Sequence, residues 1–173
     1  RRVSHARAWP HHRAVDPASS RPPIALPFRT ERLTIRPLTL NDVEAMHVVY
    51  SDPAVTRFIP GGVRDADGTR QRVIDLITHH DCHGVSKWAV TLNDSGVLVG
   101  DCGLQFLPGR PDLELGFHFA REYWGHGYAT EAASACLGWA LTNRTERVVA
   151  IVDPQHRTSQ QVLTKLGMQP DRK

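Results

Sequence analysis

Cysteine is scarce, with three residues in a chain of 173. Cys82, Cys102 and Cys136 are odd in number, far apart and form no Cys-x-x-Cys. That spacing argues against a disulfide framework or a thiolate zinc site, and it suits a reducing compartment in which all three act as small buried side chains. No apolar run approaches the roughly 18 residues of a membrane span, and the basic amino end lacks the apolar segment of a signal peptide. A cytoplasmic protein with no membrane partner is expected. Large charge excess is missing too. Lys and Arg total 21 against 18 acidic residues, a net of +3 that gathers near the amino end. This is too mild for a nucleic-acid partner.

What is present fits one domain with one core, at 40% hydrophobic residues. Residues 1–27, "RRVSHARAWPHHRAVDPASSRPPIALP", hold five of the twelve prolines and no apolar periodicity. They are expected to form a flexible tail ahead of a domain at 28–173. His11 and His12 lack partner ligands at metal spacing, so no metal is expected.

From Arg32 the segment "RLTIRPL" alternates like a strand, and Thr39 to Asp42 supplies caps for a helix carrying Val43, Met46, Val49 and Tyr50 at helical spacing. "SDPAVTRFIPGG" reads as a helix breaker. A second helix is predicted over about 67–80. The stretch "KWAVTLNDSGVLVGDCGLQFLPGRPDLELGFHFA" reads as three strands joined by hairpin turns. Helical period returns over about 128–142, "RVVAIVD" reads as a strand buried on both faces, and "SQQVLTKLG" as a last helix closed by Gly167. The fold class is therefore α+β: a mixed, mostly antiparallel sheet flanked by helices, with one parallel crossover at a glycine turn.

That turn is "YWGHGYATEA", residues 123–132. A strand running into Gly-x-Gly and then a helix lets successive backbone amides and the helix amino end face a phosphate. A P-loop would need Gly-Lys-Ser/Thr, whereas Gly127 is followed by Tyr128 and Ala129. A dinucleotide site would need glycine where Thr130 stands and a solid apolar strand before it, not the alternating "DLELGFHF". Coenzyme A, with a pyrophosphate of its own, remains.

The turn resembles motif A of the GNAT acetyltransferase superfamily, with Gly127 and Ala129 at its Gly and Gly/Ala positions. Trp124 in place of Gln or Arg looks like the RimJ/RimL branch. "TERLTIRPLTLNDVEAM" and "DPQHRTSQQVLTKLGM" are similar to that branch's opening and closing segments, so the resemblance spans about 29–168. It implies an N-acetyltransferase that moves acetyl from acetyl-CoA, as co-substrate, directly to a primary amine on a protein amino terminus or a small molecule. A non-catalytic acyl-CoA-binding module is the alternative.

The same resemblance implies pyrophosphate on the amides of Gly125, His126, Gly127, Tyr128, Ala129 and Thr130, beside Trp124, with pantetheine along Phe117, His118 and Phe119. A bulge should part Phe119 from Val148. Glu114 matches a catalytic glutamate of some members, with His118 and then Asp101 as other candidate bases. Ser159 matches the branch's serine, able to reach the CoA sulfur or to cap the last helix. His156 stands where an asparagine contacts CoA, and Leu163 where many members place a proton-donating tyrosine. The family continues with two more strands after "KLGM". Their absence would leave "RVVAIVD" as an exposed apolar edge, its acceptor half incomplete, open to pairing with another chain as in a homodimer.

Overall fold

The computed structural model describes residues 2–7, 24–107 and 112–170. Its elements are β1 (Arg2–Arg7), β2 (Phe28–Arg29), β3 (Leu33–Arg36), α1 (Val43–Ser51), α2 (Pro53–Thr56), α3 (Ala66–His83), β4 (Lys87–Leu92), β5 (Leu98–Phe106), β6 (Leu113–Phe119), α4 (Tyr128–Asn143), β7 (Arg147–Val152), α5 (Arg157–Lys165) and β8 (Gln169–Pro170). The strands form one sheet in the order β2-β3-β4-β5-β6-β7-β1-β8. Every neighbouring pair is antiparallel except β6 and β7, which α4 joins as the crossover. This is the mixed, mostly antiparallel α+β sheet expected. Among the described residues no helix is long and apolar enough to cross a membrane.

Alternation along the strands gives the sheet two different faces. Trp88, Val90, Cys102 and Leu104 pack with Ala132, Ala133, Cys136 and Ala140 of α4. The alanines let that helix lie close to the sheet, and each large apolar side chain buried there contributes about 1.5–3 kcal/mol. On the opposite face Ala89 packs with Met46, Val49 and Tyr50 of α1 and with Val73 and Leu76 of α3. Thr39 and Asp42 cap the start of the first helical segment reciprocally, and Arg36 grips both Asp42 oxygens at 2.8 and 2.7 Å.

Three expectations need correction. The tail at 1–27 is not wholly flexible: Arg2–Arg7 form β1, and Ile24 is buried in the core. Residues 8–23 lie outside the described residues. β7 is not an exposed edge, because β1 lies antiparallel along it from Arg2↔Val152 to Arg7↔Arg147, and β8 then pairs with β1 at Gln169 and Pro170. A buried β-branched strand demands a partner for its backbone groups, and a segment from the far end of the chain meets that demand. Lastly, Cys82 is exposed, while Cys102 and Cys136 are buried with their sulfurs 4.0 Å apart.

Deleting residues 1–7 should uncover the β7 edge. The expected outcome is a melting temperature at least about 5 °C lower together with concentration-dependent association on size-exclusion chromatography. A monomer of unchanged stability would show that β1 contributes nothing.

Candidate functional site

β6 and β7 pair only at Leu113↔Val148 and Glu114↔Val149. Beyond those positions the strands part, and a cleft of about 690 Å³ opens between them. The strands part as expected, but no bulge in β6 causes it: β6 keeps an unbroken register with β5 from Leu113 to Phe119, and Val148 faces Leu113, not Phe119. β6 enters the cleft with one edge unpaired, and unpaired backbone groups shielded from water call for a ligand with donors and acceptors of its own.

The glycine turn closes one end of the cleft. Gly125 and Gly127 have φ of +79° and +81°, a left-handed backbone that disfavours other residues. α4 begins directly after them with no side-chain cap, and Glu131 N–H donates to the Gly127 carbonyl at 3.0 Å. Among the described residues the amides of 125–130 therefore have no acceptor, and the helix dipole adds partial positive charge at the same point. Trp124 fastens the turn to β6 by donating its indole N–H to the Phe119 carbonyl at 2.8 Å.

Sequence reasoning missed the brace behind this turn. Glu131 accepts from the Thr30 hydroxyl at 2.6 Å, the Arg32 amide at 2.9 Å and Arg32 Nε at 2.7 Å. Arg32 also donates to the His126 carbonyl at 2.9 Å and lies over the Tyr128 ring. Burial alone would raise the Glu131 pKa, but the Thr30 and Arg32 contacts outweigh it and hold the carboxyl below its ordinary value. The brace thus keeps the negative side chain engaged behind the nest.

On the α1/α3 face of the sheet, register sets a row of polar groups along the cleft floor. Asp101 of β5 stands opposite His118 of β6, and Gln105 opposite Glu114. The Asp101 carboxylate is fully buried and bonds His118 Nδ1 at 2.9 Å, while the Tyr50 hydroxyl donates to its other oxygen. Burial, reinforced by the Asp101 charge, drives the Tyr50 pKa well up, so that hydroxyl stays a donor. Burial raises the Asp101 pKa, yet His118, Lys87 and Tyr50 together hold it below the usual range. For His118 burial wins over the neighbouring Asp101, and its pKa lies below the ordinary 6.5. A neutral imidazole anchored through Nδ1 has Nε2 free for proton transfer.

The predicted residues converge. Glu114, Phe117, His118 and Phe119 reach the cleft from β6, Trp124, Gly125 and Gly127 to Thr130 from the turn, and His156 and Ser159 from α5. The His126 ring lies off this wall, exposed and stacked on Tyr128. Ser159 does not cap α5. His156 does, accepting the Ser159 amide on Nδ1 at 3.2 Å with its ring edge-on to Phe58. Leu163 is buried in the core on the α5 side of the cleft, with no proton to donate there.

The chain matches known proteins over most of its length. A family model described as acetyltransferase (GNAT) domain matches residues 32–169. YkkB of Bacillus subtilis (strain 168) is 32% identical over 143 residues, 80% of this chain and 83% of that protein. A solved GNAT-family acetyltransferase from Bacillus anthracis superposes with a TM-score of 0.72 at 32% identity, covering 82% of each chain. The fold is shared with RimL, a ribosomal L7/L12 α-N-protein acetyltransferase solved with coenzyme A, at a TM-score of 0.68 and 17% identity over 79% of this chain and 80% of that one.

The linkage around Asp101 is directly measurable. Asp101→Asn keeps the shape but removes the charge that supports the protonated imidazole, so the NMR titration of His118 should move to still lower pH. An unmoved titration would break the assignment of Asp101 as its partner.

Proposed function

Because the chain belongs to the GNAT acetyltransferase domain family, RimJ/RimL-like, and is an N-acetyltransferase, we propose that it moves acetyl from acetyl-CoA directly to a primary amine within the β6/β7 cleft. The carrying observation is the run of partnerless amides at 125–130 beside an unpaired strand edge. Such a nest suits a pyrophosphate, and the free edge of β6 near Phe117 offers amide partners to the pantetheine arm.

The cleft residues divide the chemistry. His118 Nε2 takes a proton from the incoming ammonium, directly or through one water, with Asp101 steadying the imidazolium and Tyr50 steadying Asp101. The freed amine forms a C–N bond at the thioester carbonyl while backbone N–H of β6 stabilises the oxyanion. As the C–S bond breaks, the nitrogen of the tetrahedral intermediate gives up its second proton to the Ser159 oxygen while the Ser159 hydroxyl proton passes to the leaving thiolate, so the serine ends as a hydroxyl. Glu114, two residues from Gly116 and four from His118 along the same face of β6, holds the ammonium before it is deprotonated. This reading favours His118 over Glu114 as the base, because His118 alone has a buried carboxylate behind it.

His118→Gln should lower kcat about a hundredfold and remove the acid limb of the pH–rate profile. In the parent protein the rate should fall as pH drops below 6.5, since the depressed pKa keeps the ring neutral above that point. Glu114→Gln and Ser159→Ala should each lower kcat about tenfold, with the KM for acetyl-CoA little changed. Thiol release from acetyl-CoA measures all three. A His118→Gln enzyme with parental rate and profile would remove His118 from the mechanism.

A further inference from the structure

Lys87 lies on the same floor and exchanges no proton in this chemistry, although its charge helps keep Asp101 ionised. It leaves β4 opposite Gly103 of β5, and Gly103 in turn stands opposite Gly116 of β6. A Cβ built on Gly116 would lie 2.6 Å from Lys87 Nζ, so the missing side chain at 116 is what lets the ammonium rest there. Lys87 is 9% exposed, lines the cleft, and among the described residues forms no hydrogen bond or ion pair. Burial pushes the Lys87 pKa down against the opposing charges of Asp101 and Glu114, and neither carboxylate hydrogen-bonds the ammonium, which makes this position a receptor for a further negative group.

Two further cations share that side of the cleft. Arg72 of α3 donates to Gln105 at 3.0 Å. Arg64, on the loop before α3, has its Nε shut off from solvent with no hydrogen-bond partner and its guanidinium carbon 5.9 Å from the Tyr50 ring centre. Facing them are Glu114 and Asp101, the latter already engaged by His118 and Tyr50. Three cations against two carboxylates leave one positive charge in surplus while His118 is neutral. Asp153 and Lys165 offset each other on the far wall.

We propose that the acceptor is a small free aminocarboxylate, its carboxylate held by Lys87 and Arg64 while its amine meets His118; this rests on the acetyltransferase reading above. Once deprotonated, an aminocarboxylate is a monoanion and matches the surplus. A diamine would instead bring positive charge against three cations, and a phosphorylated amine would bring too much negative charge. Gly116 and His118 lie two residues apart on β6, about 7 Å along the strand, a span that the two ends of one small molecule bridge. The first peptide bond of a protein amino terminus would present Lys87 with a neutral amide.

The test is thiol release from acetyl-CoA by the whole chain with free α-, β- and γ-amino acids, each against its carboxamide, plus 1,4-diaminobutane and an amidated tetrapeptide. The best amino acid should exceed its carboxamide in kcat/KM by about thirtyfold or more. Lys87→Met should collapse that ratio to within about threefold of unity. Arg64→Gln, on a surface loop, should lower it through KM and serves where Lys87→Met fails to fold. A carboxamide, diamine or peptide that matches or beats the amino acids overturns the proposal, as does a ratio that survives both substitutions. No release above hydrolysis with any amine would sink the transfer mechanism itself, and this inference with it.

Discussion

The parting of β6 from β7 is the constraint on which the rest of this molecule turns. Two strands that pair for two positions and then separate leave peptide groups facing each other across a gap. Such groups cannot stay unpaired in a dry interior, so the gap must admit something polar. The surrounding elements are arranged about it. α4, the crossover that makes the strands parallel, presents its amino end to the opening, and α5, following β7, supplies the other wall. Moving β7 by one register would shift both walls against each other.

The sheet divides labour between its faces. Beneath α4 the contacts are almost wholly apolar, and they carry the stability of the fold. Under α1 and α3 the same strands bury Lys87 and Asp101 beside the partly buried His118 and Glu114. Buried charges usually cost more than apolar side chains of similar size would. Three strands and two helices each contribute one or two members, so the row exists only in the finished sheet. The apolar face offsets that cost, and the polar face carries the titratable groups.

Which parts were legible in the sequence follows from the range of the signals. α4, β7 and the turn between β6 and α4 announce themselves through local pattern, as do α3 and the β4–β6 meander. α2 was hidden because Pro53 reads as a breaker, although it stands in the first turn of a helix where proline is tolerated and Asp52 caps it. Ser159 looked like the cap of α5, yet the ring nitrogen of His156 performs that task. The Tyr50–Asp101–His118 chain and the place of Lys87 over Gly116 depend on register between strands, which no local pattern reports. β1 was the hardest to read, since "RVSHAR" carries no apolar run and its partner lies almost a full chain length away.

That distance has a consequence for how the protein comes into being. Closing a longer loop adds only about 0.6 kcal/mol per doubling of length, so β1 can dock nearly as favourably as a local strand. Its timing is another matter. β1 precedes β7 in the chain and must wait for it, while β8 needs β1 in place before it has anything to pair with. The wall between β7 and α5 therefore sets last. A growing chain holds the glycine turn before it holds a closed cleft, because the second wall comes from β7 and α5, which follow that turn in the chain.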